Sequence, residues 1–162
     1  MENVELPGGL IRDGKLCRKF CFLPVNGELE LAIANSNKAA SSLPDAVTGL
    51  IHATVTDDSG QRLAPETISG MSVGDRQYLV YRLAGLIDDS PRWMSLPCDS
   101  CGEPFDISYQ LSDVPVKKPG KGFPEKVVKA KGRNWKVRTP TGRDQSYLVS
   151  VQNPDSAEQK LL

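Results

Sequence analysis

The stretch "MSVGDRQYLVYRLAGLIDDSPRWMSLPCDSCGEPFDISYQL", Met71 to Leu111, changes its period halfway along. The first half predicts a helix over 72–88. Ser72 and Asp75 stand at the S-x-x-D spacing of a capping box, and Tyr78, Leu79, Arg82, Leu83 and Leu86 then recur at helical intervals. The second half predicts a hairpin over 92–110. Phe105, Ile107 and Tyr109 alternate with polar residues, and two strand-like runs flank the turn Cys98-x-x-Cys101-Gly102, which places both thiols at the hairpin tip. Helix followed by hairpin makes the chain an α+β protein.

Upstream, "TDDSGQRLAPE" reads as a turn-rich connector, preceded by a helical pair over 27–56. Asn26 caps the first helix, with Glu28 and Glu30 in its first turn against the macrodipole. Ser42 precedes the second, and Pro44 falls in its first turn, where a missing N–H costs nothing. "KLCRKFCFL", Lys15 to Leu23, predicts a strand entered through the Asp13-Gly14 turn and closed by Pro24. Downstream, "SDVPVKKPGKGFPE" predicts an extended Pro/Gly/Lys arm over 112–125. Two strand-like runs and a helix, with Thr141 and Asp144 at capping-box spacing, fill 126–151, and 152–162 reads as a flexible tail.

The expected architecture is one domain over 1–151: a small, mostly antiparallel sheet built from the N-terminal strand, the cysteine hairpin and the C-terminal strands, packed by three to four short helices. "CFLPVNGELELAI" and "KVRTPTGRDQSYL" both run strand, proline, glycine, acidic residue, helix, which predicts one turn used twice and two strands that pair.

The chain has 162 residues, with Lys plus Arg and Asp plus Glu balanced at 20 each. A formal net charge of zero gives no electrostatic reason to expect nucleic acid or an anionic membrane as main partner. The opening residues lack the apolar core of a secretory signal, and no apolar run approaches the roughly 20 residues of a membrane span. The expected compartment is therefore a cytosol, where thiols stay reduced and a disulfide framework is not formed. Metal binding, redox chemistry and plain packing remain for the four cysteines.

A structural zinc site takes four ligands, usually as two C-x-x-C-like pairs. Cys98 and Cys101 have the spacing of half such a site. Cys17 and Cys21 are the less favoured other half, because in a strand they stand about 13 Å apart on one face. Otherwise Cys17 and Cys21 are small buried apolar residues. A redox motif would want its first cysteine at a helix N-terminus, and no helix follows Cys101. The single histidine, His52, reads as packing or surface, and the pairs Asp57-Asp58 and Asp88-Asp89 read as loop ends and helix termini. Lysines and arginines over 117–138, interleaved with Phe123 and Trp135, have a composition that can bind nucleic acid.

Taken in order, Val73-Gly74-Asp75-Arg76-Gln77, Cys98-x-x-Cys101-Gly102 and Arg138-x-Pro140-Thr141-Gly142-x-Asp144-Gln145 resemble the baseplate-hub assembly chaperones of contractile-tailed phages and related contractile injection system proteins. "LPGG" near the start and the "FLPVNGE" turn are similar as well, so the resemblance covers most of the chain. It implies a non-enzymatic assembly chaperone or minor baseplate component in the bacterial host cytoplasm or the assembled particle. Its partners would be other tail, baseplate or injection-system proteins; a homo-oligomer is compatible with this, and a membrane is not expected. Contact candidates are Arg76, Tyr78 and Tyr81 on the long helix and Val114, Val116 and Phe123 on the arm. No cofactor is expected other than zinc at the cysteines. The pair Cys17 and Cys21 departs from the family pattern and keeps the metal question open. The alternative function is a zinc-knuckle module contacting nucleic acid through 117–138.

Overall fold

The computed structural model describes residues 2–12 and 14–151. Asp13 of the expected first turn and the expected 152–162 tail lie outside the described residues.

Seven strands and five helices follow one another as β1 (Glu2–Arg12), β2 (Lys15–Phe22), α1 (Gly27–Ala39), α2 (Leu43–Thr54), β3 (Val55–Asp57), α3 (Pro65–Ser69), α4 (Val73–Ile87), β4 (Arg92–Pro97), β5 (Pro104–Tyr109), β6 (Glu125–Ala130), β7 (Arg133–Arg138) and α5 (Gly142–Ser150). The α+β class and the cysteine hairpin stand as expected. Capping chemistry sets the helix starts as the sequence proposed. Leu29 N–H donates to Asn26 Oδ1 at 3.0 Å, Asp75 N–H donates to Ser72 Oγ at 3.0 Å, and Thr141 with Asp144 forms a complete capping box.

The strands do not form one sheet. They form three: β1-β2-β3, the ribbon β4-β5, and the ribbon β6-β7, with antiparallel pairing throughout. The two echoing strands, β2 and β7, therefore lie in different sheets and do not pair. Three elements were not expected. Residues 2–12 form a strand, Val55 belongs to β3 rather than to the preceding helix, and α3 interrupts the connector.

The core explains this division. Val4, Leu6 and Leu10 of β1, Phe20 and Phe22 of β2, Ile51, Val55, Leu63, Ile68, Met71, Leu79 and Leu83 make one buried cluster. Each such side chain contributes roughly 1.5–3 kcal/mol on burial. All of them come from the segment 4–83, and no residue of β4, β5, β6 or β7 is buried. The three-stranded sheet and α2–α4 are thus a body with its own core, and the two ribbons extend from it.

Strand β1 is broken by "LPGG". Its register against β2 slips between Glu5 and Leu10, so that 6–9 stand opposite the single residue Arg18. Gly9 has φ +93°, a left-handed conformation that favours glycine, and it closes this bulge. The bulge carries Gly8 to the start of α4.

Candidate functional site

Helices α4 and α5 begin side by side. Ser72 and Thr141, their N-caps, form an antiparallel bridge, with Val73 N–H donating to Pro140 O at 2.9 Å and Gly142 N–H to Met71 O at 3.2 Å. Two positive helix ends would repel, and each carries its own carboxylate in the first turn. Asp75 is 2% exposed and accepts from Gly8 N–H at 2.8 Å and from Ser72 Oγ at 2.8 Å. Asp144 accepts from Thr141 N–H at 2.7 Å and takes a two-pronged pair from Arg138 at 2.6 and 2.7 Å. The Arg138 guanidinium holds the Asp144 carboxyl well below the usual carboxylate range, and Asp144 in turn raises Arg138.

Arg76 was expected at a partner surface, and the structure corrects this. It is 1% exposed and faces inward from α4. Its guanidinium donates to Pro44 O at 2.7 Å, Thr48 Oγ1 at 3.0 Å and Ile68 O at 3.2 Å, joining α2, α3 and α4. Gly142 lies against the same group, where a Cβ would stand 2.7 Å from Arg76 Cζ. Burial lowers the Arg76 pKa, and the Asp45 charge offsets part of this. The arginine is buried because a long planar cation on α4 satisfies three acceptors on two other helices, α2 and α3, at once.

Against this junction lies a cleft of about 460 Å³. Its walls are the first turns of α4, the Pro7-Gly8 bulge, and the segment from Leu111 to Phe123, with Thr139 and Pro140 at one end. Tyr78, Tyr81, Val114, Val116 and Phe123, the five remaining contact candidates, all line it. Tyr81 is 40% exposed and Val116 51%, whereas Tyr78, Val114 and Phe123 are half-buried. The arm does not swing free. A 3₁₀ turn at Leu111–Asp113 anchors its start, Ser112 N–H donating to Asp89 Oδ1 at 3.0 Å. Near its end the Phe123 ring lies so close to Gly8 that a Cβ there would meet Cζ at 2.5 Å. Phe123 is therefore a wall of the cleft rather than a projecting anchor.

The cysteines fall into two places. Cys17 and Cys21 lie in β2, where Cys17 packs partly against the core and the Cys21 thiol donates to Asn3 Oδ1 at 3.2 Å. Cys98 and Cys101 close the tip of the β4-β5 ribbon. Among the described residues no three His, Cys, Asp or Glu side chains converge as a metal site would require. The backbone amides of Cys101 and Ser100 and the Cys101 thiol hydrogen-bond to the Cys98 sulfur and lower its pKa.

His52 lies with Nδ1 2.7 Å from Leu63 O, which makes that nitrogen the donor. Asp57 accepts from Ser59 Oγ at 2.6 Å and from Arg12 Nη1 at 2.9 Å, and these bonds hold its carboxyl below the usual range. It closes the turn after β3. Asp89 ties the end of α4 to the arm, and Asp88 caps its neighbour Ser90.

Lining residues that were not among the contact candidates include Pro7, Gly8 and Gln77. A signal for the first two was present: Pro-Gly-Gly inside an alternating run, Val4, Leu6, Leu10, marks a bulge. Gln77 sits one turn from Tyr81 and donates to its hydroxyl at 3.0 Å. No protein-family model, curated protein or solved structure matches this chain.

Proposed function

We propose that the chain is a non-enzymatic binding module whose cleft holds an extended apolar segment of another polypeptide. The observation that carries this is the convergence of Tyr78, Tyr81, Val114, Val116 and Phe123 on one open, mostly apolar cleft. Its volume lies in the range of about 300–1,000 Å³ typical of ligand sites. Lys117 stands on its lining and Lys118 and Lys121 follow on the same arm, so acidic residues flanking the apolar segment match the rim. Two tyrosines facing a groove supply contact area at low conformational cost.

Read with the resemblance of its motifs, this module serves the assembly of a contractile-tail or injection-system baseplate, in the host cytoplasm or on the particle. No described helix is long and apolar enough to cross a membrane. The motif residues of "LPGG", "VGDRQ" and "RTPTGRDQ" support the reading indirectly, since they build the junction that forms the cleft floor.

The test is co-expression with the tail and baseplate proteins encoded beside this chain, followed by titration calorimetry of any complex that forms. Tyr81→Ala and Val116→Asp are expected to weaken the complex at least about tenfold, as loss of buried anchors does. Val127→Asp, on the β6-β7 ribbon and not on the cleft lining, is expected to leave it unchanged. A complex indifferent to both cleft variants overturns the reading. Binding to single-stranded nucleic acid that collapses with salt would instead favour the knuckle module acting through 117–138.

A further inference from the structure

The β4-β5 ribbon poses a problem the cleft does not address. Its register pairs Met94 with Ile107 and Leu96 with Phe105 across the two strands, so these four side chains share one face. Met94 is 42% exposed, Leu96 36% and Phe105 48%. A two-stranded ribbon with an uncovered apolar face is marginal by itself.

Its tip is shaped like a metal knuckle. Cys98 N–H donates to Glu103 O at 2.9 Å, and Gly102 N–H donates back to Cys98 O at 2.8 Å. Gly102 has φ +75°, which a residue with a Cβ adopts only at a cost of roughly 1–2 kcal/mol. The fold thus places Cys98 and Cys101 together in the tight turn at the ribbon tip. Two thiolates are half of a tetrahedral zinc site. The chain's other two cysteines are in another sheet, one packed partly on the core and one bonded to Asn3.

We infer that Cys98 and Cys101 bind zinc together with the same two cysteines of a second copy of this chain. A two-fold pair is self-complementary: each copy brings two thiolates and one apolar ribbon face, so one symmetric contact completes the metal site and covers both faces. Four thiols bind one Zn²⁺ and release four protons, leaving a tetrathiolate of charge −2. Asp99 and Glu103 flank the knuckle and attract the cation, and in its absence they make two tips repel. Pairing is therefore conditional on metal. The inference is independent of the cleft.

Titration of the reduced full chain with Co²⁺, and then Zn²⁺, tests it, read by absorption and by sedimentation velocity. Saturation is expected at one metal ion per two chains, with the intense tetrahedral d–d bands of a four-sulfur site and a doubled mass. Chelator reverses both. Cys98→Ser and Cys101→Ser are expected to abolish metal uptake and pairing, with thermal unfolding in chelator unchanged, since Cys101 is exposed, Cys98 only half-buried and neither belongs to the core cluster. The double variant Cys17→Ser/Cys21→Ser retains both. One metal per chain at monomer mass, no metal uptake, or uptake that persists in Cys98→Ser overturns the inference.

Discussion

The junction of α4 with α5 and the two ribbons are built from similarly motif-rich sequence, yet one closes on itself and the others stay open. At the junction the signature residues meet one another. Gly8 meets Asp75 and Phe123, Gly142 meets Arg76, Ser72 bridges Thr141, and Arg138 grips Asp144. In the ribbons Trp93, Phe105, Val127 and Trp135 are 73%, 48%, 62% and 46% exposed. Motif density therefore marks two different things in one chain: positions where backbones must touch, and positions held ready for something else to touch.

If the junction is self-sufficient, removing its central cation should damage the fold more than any change in a ribbon. Arg76→Ala leaves a cavity and removes one donor each from Pro44 O and Ile68 O, which keep Thr48 Oγ1 and Met71 N–H respectively. Large-to-small core changes cost about 2–5 kcal/mol, so a loss of at least about 2 kcal/mol is expected in urea unfolding. Arg76→Lys keeps the charge but not the fork and should fall between. A near-neutral Arg76→Ala would break the comparison at its strongest point.

Gly142→Ala ranks next. A Cβ there comes within 2.7 Å of a guanidinium already fixed on three acceptors, so the neighbour has little room to yield. Overpacking of this kind costs about 1–3 kcal/mol, to be read as a lower urea midpoint at unchanged slope. Gly8→Ala meets Asp75 Oδ2 and Phe123 Cζ, both at 2.5 Å, but the half-buried ring can turn outward. Its larger effect should be on the cleft, and weaker partner binding out of proportion to lost stability would sharpen the distinction between floor and wall.

This is also where sequence reading reached its limit. Caps are local, so Asn26, Ser42, Ser72 and Thr141 announced their helices within a residue or two. The cysteine hairpin was legible for the same reason, because a turn and two alternating runs lie next to each other. Which strands share a sheet is not local. Nothing in the alternation of Val127, Trp135 or Phe105 says whether the covered face belongs to this chain or to another. Arg76 was misplaced because an arginine is exposed in most contexts, and only the meeting of α2, α3 and the Thr141-Gly142 turn around it makes burial favourable. Five of the six contact candidates nevertheless line one cleft, since aromatic and aliphatic residues near a prolyl arm and a helix start are drawn to the same seam.

Acid provides a third test of the junction. The Asp144 carboxyl, paired with Arg138, and Asp57, bonded to Ser59 and Arg12, both have folded-state pKa values lowered from the usual one. A group lowered in the folded state adds stability that is fully present above its unfolded value, near 3.9, and fades as pH falls toward its folded value. Stability should therefore be flat from about pH 7 to 5 and drop below about pH 4. Asp144→Asn should cost up to about 1 kcal/mol at neutral pH through the lost charge pair with the half-exposed Arg138 and should flatten the acid limb. An acid limb as steep in the variant as in the parent would mean that the pair is incidental.

The smallest expected effect is the most telling about the ribbons. Gly102→Ala strains the knuckle by roughly 1–2 kcal/mol, since φ +75° disfavours a Cβ, yet a Cβ there meets nothing within 4 Å. Because no residue of β4 or β5 is buried, this strain is confined to the ribbon, and the global urea midpoint should stay within the equivalent of about 0.5 kcal/mol. Amide exchange should instead accelerate at Cys98 and Gly102, whose N–H groups donate to Glu103 O and Cys98 O across the tip. A global destabilisation as large as the local strain would place the ribbon inside the cooperative unit, and the division between a closed body and open ribbons would fail. If exchange quickens only at the tip, the ribbon is an independent element. Its apolar face then adds nothing to the body's stability and owes its composition to whatever covers it.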